Sequence, residues 1–189
     1  AAVSLLRKAG AVIVGKTVTT EFASFSPGPT RNPHDLSRTP GGSSSGSAAA
    51  VADYMVPLAL GSQTAGSTIR PGSFCGVVAF KPQFGAISRS GCMTLSSSLD
   101  HVGLFARTVA DIALLTQALY VEDAADASAG SGDAPEPASN LSEPSDFRAR
   151  LGFVPTPFWG QMEPEARSSF ERFVDTMHLE RVELPEDFR

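Results

Sequence analysis

Short apolar stretches with helical or strand spacing alternate along most of this chain. Residues 1–9 carry apolar side chains three and four positions apart and end at Gly10, which predicts a helix with a glycine at its end. The continuous apolar run AVIV at 11–14 predicts a buried strand. The same patterns predict further helices over 44–55, 107–120 and 163–177, and strands over 57–60, 77–80, 151–154 and 182–184. Strands that alternate with helices indicate an α/β fold, with a mostly parallel sheet covered by helices.

One segment departs from this alternation. Residues 122–146 consist largely of Ala, Ser, Asp, Glu, Gly and Pro, with almost no large apolar side chain. Such a segment buries too little apolar surface to fold alone. We therefore predict a core over residues 1–121, a flexible loop or linker over 122–146, and a continuation of the same α/β domain over 147–189.

Charge and composition argue against several classes of function. The net charge of −5 comes without a basic stripe, which argues against nucleic-acid binding, and no apolar run approaches the roughly 18 residues of a membrane span. Two cysteines, Cys75 and Cys92, are too few for a disulfide framework or a structural zinc site, so we expect a reduced, cytoplasmic compartment.

The chain starts at Ala1 within helical sequence and ends at Arg189 just after a strand-like stretch. We expect an internal piece of a longer enzyme, in which a missing signal peptide carries no information.

Two loops of small residues carry the candidate chemistry, GGSSSGS at 41–47 and GSQTAGS at 61–67. Each offers hydroxyl groups and backbone N–H groups without bulky side chains. Acyl transfer needs a serine nucleophile, a second group that handles its proton, and donors for an oxyanion. Taken alone, the second loop is more typical of an ordinary glycine and serine turn than of a catalytic loop. Composition does not distinguish among the four serines of the first loop.

The sequence around both loops resembles the amidase signature family of serine hydrolases, which cleave amide C–N bonds with a Ser–cis-Ser–Lys triad. The runs that carry the resemblance are PGGSSSGSAAAVA and LALGSQTAGSTIRPGSFCGVVAFKP, and it is densest over residues 10–111. The family places its cis-serine 24 residues before its nucleophile, which is the separation between Ser43 and Ser67. The resemblance implies an amidase signature fold with a mixed, mostly parallel sheet, a small-molecule amide substrate and no cofactor or metal.

The same register assigns roles to individual residues. The resemblance implies that Ser67 is the nucleophile and that Ser43, after a cis peptide bond to Gly42, relays its proton. The family's oxyanion hole corresponds to the backbone N–H groups of the loop that ends at the nucleophile, namely Thr64, Ala65, Gly66 and Ser67. Ser44 and Gly42 would support the arrangement, Ser44 as a hydrogen-bonding residue or helix cap.

The catalytic lysine presents a difficulty. In the family it lies further upstream of the cis-serine than the 42 residues available here. Lys16 matches a structural lysine in the family's GKT segment and is a weaker alternative base, and Lys81 is interpreted as structural. We therefore expect the catalytic lysine to lie outside this chain. Since a serine hydroxyl must lose its proton to attack, we expect the chain alone to be inactive.

Two alternatives remain within the family. The chain could be a catalytically incomplete fragment, or a partner-dependent component such as the A subunit of a tRNA-dependent amidotransferase. Departures from the common family pattern weaken the second assignment; they lie at Ser45, Gln63, Ala65 and Arg70. The oligomeric state is open, with a homodimer as one alternative.

Three other motifs suggest different chemistry. Residues 10–17, GAVIVGKT, fit the phosphate-binding pattern GxxxxGK[ST], but they follow a predicted helix and place four apolar residues where a flexible loop is needed. Residues 42–46 fit the GxSxG nucleophile elbow but lack the strand that must precede it. Asp100 and His101 could join a serine in a triad, although adjacent residues of a strand point to opposite faces. The family resemblance is favoured over all three.

Overall fold

The computed structural model of the chain describes residues 1–120, 123, 125–129 and 149–185. The chain divides into two compact units, Ala1–Glu143 and Pro144–Arg189. In the first unit the elements are α1 (Ala2–Lys8), α2 (Ser45–Ala52), β1 (Leu58–Gln63), α3 (Ile69–Cys75), β2 (Val78–Phe80), β3 (His101–Ala106) and α4 (Val109–Leu119), with a 3₁₀ turn at Glu21–Ala23. In the second unit they are β4 (Gly152–Phe153), α5 (Pro164–Thr176) and β5 (Glu180–Arg181), with a 3₁₀ turn at Trp159–Gln161.

Local sequence accounts for most of the helices, and the predictions of α1, α2, α4 and α5 are confirmed. Helix α4 begins at an N-cap, where the Thr108 hydroxyl accepts a hydrogen bond from the Asp111 backbone N–H at 3.1 Å. The Asp111 carboxylate in the first turn also suits the positive end of the helix dipole. Helix α5 begins with Pro164, whose missing N–H is no loss at that position.

The first unit contains a three-stranded sheet of order β1-β3-β2, in which both pairs are antiparallel. The α/β class is confirmed, but the expected parallel pairing is wrong for this sheet. Strands β1 and β2 do run in the same direction, as a strand–helix–strand unit predicts. Strand β3 lies between them and is antiparallel to both. The alternation of strands and helices along the chain indicates the relative direction of successive strands. It does not show that a later strand, here β3, lies between them. In the second unit, β4 and β5 are parallel.

Alternate residues of β3 face two separate apolar clusters. Val102, Leu104 and Ala106 pack with α1 and α4 on one side of the sheet. Phe105 packs on the opposite side with residues of α2 and α3, including Val51. Both faces of β3 are therefore covered by helices, which explains why five of its six residues are buried.

The apolar run at 11–14 does not form the predicted buried strand. It belongs to none of the strands in the part of the chain that the structure describes, and Val12 and Val14 are 86% and 76% exposed. An apolar run becomes a buried strand only where another strand pairs with it, and none of the described strands does so. The last predicted strand, 182–184, is also displaced, because the strand observed there is Glu180–Arg181.

The predicted linker at 122–146 lies outside the described residues except for 123 and 125–129. In that short stretch, Asp123 accepts a hydrogen bond from the Ser88 hydroxyl at 2.5 Å. Asp126 forms an ion pair with Arg89, with 3.3 Å between Oδ2 and Nε. These contacts join the described part of the segment to the first unit. The predicted domain boundaries remain a prediction.

Substitution of Gly103 by alanine should destabilise the first unit. A Cβ atom at this position of β3 would overlap the buried Thr68 side chain. Forcing a methyl group into such a packed site costs about 1–3 kcal/mol, so urea denaturation should show a free energy of unfolding lower by that amount. Gly15→Ala is the matched control, because a Cβ there meets nothing within 4 Å. Equal stability of the two variants would contradict this account of the sheet.

Candidate active site

Three of the four serines in the first loop use their hydroxyls to hold α2 in place. Ser44 Oγ donates to the Ser62 carbonyl at 3.2 Å, Ser45 Oγ to the Gly41 carbonyl at 2.7 Å, and Ser47 Oγ to the Leu60 carbonyl at 2.6 Å. For Ser43 Oγ, the described residues contain no hydrogen-bond partner. A cis peptide bond joins Gly42 to Ser43, as the family resemblance implies. Ser43 is thus the serine of this loop whose hydroxyl is not used for structure.

The side chain of Gln63 holds the backbone of the second loop in place through hydrogen bonds. Its side-chain oxygen accepts hydrogen bonds from the backbone N–H groups of Thr68 at 2.9 Å and Ile69 at 3.0 Å, and its nitrogen donates to the Ala65 carbonyl at 2.9 Å. The carbonyl and N–H of a trans peptide point in opposite directions. The Gly66 N–H is therefore directed away from the buried Gln63 amide. Within the described residues, no acceptor is found for the backbone N–H of Ala65, Gly66 or Ser67.

The two loops meet at one cavity. The Ser44 backbone N–H donates to the Ser67 carbonyl at 3.2 Å, which joins the loops directly. Beside them lies a cavity of about 500 Å³ that both Ser43 and Ser67 line. Thr64 and Ser44 line it as well, whereas Gly42, Ala65 and Gly66 do not. The structure therefore brings together the two serines that the sequence analysis selected.

Further contacts hold the Gly42 peptide and Ser43. The Arg70 guanidinium donates to the Gly42 carbonyl from Nε at 3.0 Å and from Nη2 at 2.7 Å. The Thr20 backbone N–H donates to the Ser43 carbonyl at 3.0 Å. The Thr20 hydroxyl is buried on the cavity lining and has no partner among the described residues. The peptide before Ser43 and the one after it are thus held from separate parts of the chain.

All three lysines of the sequence are described, and they occupy different surroundings. Lys16 lines the cavity with Ser43 and Ser67, although its side chain is exposed. Lys81 Nζ donates to the Pro82 carbonyl at 2.8 Å and lies 3.2 Å from His101 Nε2. Lys8 lies in α1. The family resemblance implies a structural role for Lys16, but of the three lysines it is the one that lines the cavity.

Arg89 also lines the cavity, but its donors are bound by the chain itself. Its guanidinium pairs with Asp126, donates to the Ser97 carbonyl at 2.8 Å and to the Ser128 hydroxyl at 2.9 Å, and lies 4.6 Å from the centre of the Phe84 ring. Hydrogen bonds from Arg89 and Ser128 hold the pKa of the Asp126 carboxyl well below its usual range, against the opposing effect of burial. Arg89 is therefore a structural cation at the edge of the cavity.

The three alternative motifs do not have the neighbouring structure that their proposed chemistry requires. The would-be phosphate loop at 10–17 is followed by irregular structure and not by a helix, and turns precede the GxSxG match at 42–46. The ring of His101 contacts Lys81 and, through Nδ1 at 2.6 Å, the Leu99 carbonyl; no hydrogen bond joins it to Asp100. His34 Nε2 lies 2.9 Å from the Cys75 carbonyl, so it too has a structural contact.

In the described ranges, no group of three or more His, Cys, Asp or Glu side chains is placed to hold a metal ion. Among the residues that the structure describes, no helix has both the length and the apolar character needed to cross a membrane.

Comparison with known proteins places this fold among the amidase-type hydrolases. A family model described as Amidase matches residues 1–186, so the chain belongs to the amidase signature family. The resemblance inferred from the two serine loops is thereby confirmed.

Individual relatives agree with this assignment. The chain is 40% identical to the A subunit of glutamyl-tRNA(Gln) amidotransferase from Desulfatibacillum aliphaticivorans, over 96% of its own length and 39% of that relative. It resembles the solved structure of the corresponding Thermotoga maritima protein with a TM-score of 0.81 and 36% identity, over 97% of this chain and 43% of that one. The solved 6-aminohexanoate cyclic dimer hydrolase gives a TM-score of 0.81 and 34% identity, over 97% and 41%. The chain spans about two fifths of the length of these proteins.

Several residues that shape the site were missed from sequence. The sequence suggests Asp100 only as a triad partner, and it marks Gln63 and Arg70 only as departures from the family pattern. Their contacts depend on which strands and loops become neighbours, which no local pattern reports. The one usable signal was polarity, because a Gln at the end of a strand and before a tight loop needs hydrogen-bond partners once it is buried.

The two cysteines should differ sharply in reactivity. Cys92 is exposed and lines the cavity, whereas Cys75 is buried, and burial raises the pKa of its thiol to about 11. Since the thiolate is the reactive form, roughly one Cys75 side chain in a thousand would be reactive at pH 8. Titration with DTNB should therefore detect one fast thiol in the folded chain and a second only in urea. The fast reaction should disappear in Cys92→Ser, and two fast thiols in the folded protein would contradict the burial of Cys75.

Proposed function

We propose that the protein to which this chain belongs is an amidase that hydrolyses the C–N bond of a carboxamide through an acyl-enzyme on Ser67. The supporting observation is that Ser43 and Ser67 line one cavity. The hydroxyls of Ser44, Ser45 and Ser47 are bound to backbone carbonyls, which leaves Ser43 as the candidate relay. Membership of the amidase family supports the reaction class.

The proposed reaction begins when Ser67 Oγ attacks the amide carbonyl carbon while its proton passes to Ser43 and on to a lysine base. The carbonyl oxygen becomes an oxyanion, which the backbone N–H groups of the loop formed by residues 64–67 would stabilise. The tetrahedral intermediate then releases the amine, which takes up a proton through the same relay. Water hydrolyses the resulting ester to the carboxylic acid and restores the Ser67 hydroxyl. No cofactor is needed at any step.

The proposed reaction requires a base that is not assigned to any residue of this chain. The family register leaves the catalytic lysine outside the chain, and Lys16 is the lysine that lines the cavity. Burial favours the neutral form of a lysine that a base requires. Lys16 is exposed, so we retain the proposal that the base comes from outside these 189 residues.

The two cysteines, both free thiols, fit the reduced cytoplasm that we propose as the location of this protein.

The nucleophile can be tested without the base. Backbone N–H donors stabilise a developing oxyanion whether or not the base is present, and a fluorophosphonate has a much better leaving group than an amide. A fluorophosphonate probe should therefore still modify Ser67, and peptide mass spectrometry should locate the adduct. Labelling should disappear in Ser67→Ala and persist in Ser73→Ala, the matched control on the exposed surface of α3. An adduct spread over several serines, or unchanged in Ser67→Ala, would refute the assignment.

The chain alone should release no amine from a panel of aliphatic and aryl amides above the uncatalysed rate, because the base is absent. Release of amine that is lost in Ser67→Ala would show that a base is present after all. If Lys16→Ala then abolished the same activity while Lys8→Ala did not, Lys16 would be the base.

A second candidate is the A subunit of a tRNA-dependent amidotransferase, in which glutamine would be the amide substrate. The observation that favours it is that curated relatives at 40–46% identity carry the name of the A subunit of glutamyl-tRNA(Gln) amidotransferase. The two candidates differ in partner dependence. Ammonia release from glutamine that requires added partner proteins would favour the amidotransferase, whereas hydrolysis of other amides by the complete protein without partners would favour the amidase.

A further inference from the structure

Asp100 contacts two separate walls of the cavity with its two carboxylate oxygens. Oδ1 accepts a hydrogen bond from the Thr64 hydroxyl at 2.5 Å. Oδ2 accepts from the backbone N–H groups of Leu95 at 2.7 Å and Ser96 at 2.9 Å. Thr64 belongs to the loop that ends at Ser67, while Leu95 belongs to the segment 92–95 that lines the cavity elsewhere.

Strand register explains why Asp100 reaches Thr64. In the antiparallel pair of β1 and β3, Gln63 lies opposite His101. One residue beyond the end of the ladder, Thr64 and Asp100 are the next cross-strand neighbours, and directly opposed side chains of an antiparallel pair lie close together. The position of Asp100 is therefore set by the sheet and not by the loops that it contacts.

We propose that Asp100 is a positioning residue for acyl transfer, which holds the 64–67 loop and the 95–96 turn at a fixed separation across the cavity. This inference rests on the proposed function, because the held loop contains the proposed nucleophile and oxyanion donors. Asp100 acts through Thr64 and the turn. It fixes the Thr64 end of the loop, as Gln63 fixes the Ala65 carbonyl.

The charge state of Asp100 suits this role. Burial acts most strongly and would raise the pKa of its carboxyl, but hydrogen bonds from Thr64, Ser96 and Leu95, together with the positive charge of Arg89, outweigh it and lower the pKa below its usual value. An ionised carboxylate has acceptors only, and all three groups that bond to it are donors. A neutral amide at this position loses the charge that strengthens all three hydrogen bonds. Its NH₂ group would also face either the Leu95 and Ser96 N–H groups, which cannot accept, or the Thr64 hydroxyl, which would have to reverse its direction.

The test compares Asp100→Asn with Thr64→Val and Thr64→Ser in two measurements on the 189-residue chain. The first is the second-order rate of Ser67 modification by the fluorophosphonate probe. The second is hydrogen–deuterium exchange of the backbone amides, read by mass spectrometry. Asp100→Asn should slow modification by about 10- to 100-fold, the cost of a small misplacement of reacting groups. It should also speed exchange in both peptides that cover 61–67 and 92–97.

The Thr64 variants distinguish the contact of Asp100 with the 64–67 loop from its contacts with the 95–96 turn. Thr64→Val removes one of the three hydrogen bonds, so it should slow modification and speed exchange in 61–67 only. Thr64→Ser keeps a hydroxyl and should restore most of the rate that the valine variant loses. Modification by the double variant Thr64→Val with Asp100→Asn should be slowed by less than the product of the two single effects, because both act through one contact.

Asp111→Asn is the matched control. Asp111 accepts from the Thr108 hydroxyl at 2.7 Å, which is the same type of pair, but it lies at the start of α4 and does not line the cavity. This control should leave the rate of Ser67 modification and the exchange of both cavity peptides unchanged. The proposal is overturned if Asp100→Asn matches Asp111→Asn in both measurements. It is also overturned if exchange rises uniformly over the whole chain, since that would indicate general destabilisation.

Failure of the proposed function gives a different result from failure of this inference. If the wild-type chain shows no modification of Ser67, the proposed nucleophile is refuted, and the exchange measurement alone decides whether Asp100 holds the two walls. If Ser67 is modified in the wild type and at the same rate in Asp100→Asn, the proposed function stands and the role of Asp100 is refuted.

Discussion

The close approach of helix α2 to the sheet is the constraint on which the rest of the site depends. A Cβ atom at Gly61 would lie 2.5 Å from Ser44 Oγ and 2.7 Å from the Phe105 ring, and one at Gly46 would lie 2.6 Å from the Val18 backbone nitrogen. A side chain at Gly61 would push α2 away from β1, and one at Gly46 would push α2 away from residues 17–18. The loop before α2 and the loop after β1 would then separate, and the cavity that they share would lose its present shape.

The same packing decides which serine hydroxyl remains unbound. Because α2 lies directly on β1, Ser44 and Ser47, one helical turn apart, both reach carbonyl groups of that strand. Ser45 instead donates back to Gly41, four residues earlier. Ser43 precedes the helix and has none of these options. Four serines that composition treats alike are therefore distinguished by their position relative to one helix and one strand.

Much of the fold could be predicted from local sequence, because the elements concerned carry their own signals. Helix α4 has an amphipathic pattern and a capping threonine, and the alanine-rich stretch predicted α2. Strand order could not be predicted, since a βαβ pattern is the same whether its strands are neighbours or are separated by β3. The prediction of a strand at 11–14 failed for a related reason, because apolar residues say nothing about whether a partner strand is present.

For the candidate site, the sequence selected two serines that line one cavity, but it did not indicate the residues that hold their loops. Ser43 and Ser67 are selected by the family resemblance, because their separation along the chain matches that between the family's cis-serine and its nucleophile. Gln63, Arg70 and Asp100 act on the two loops through contacts created by strand register and helix packing. Such contacts follow from tertiary structure, and a single sequence contains no local pattern that reports them.

The site contains two functions that are physically separable. The shape of the serine loops depends on contacts within the first unit: Gln63 and Asp100 hold the second loop, and Arg70 holds the Gly42 carbonyl beside the first. None of these contacts involves a lysine. Positioning of the proposed nucleophile, Ser67, and of the proposed oxyanion donors therefore does not require the base, whereas removal of the serine proton in the proposed reaction does. A base brought in from elsewhere would add proton transfer to a geometry that these 189 residues already define.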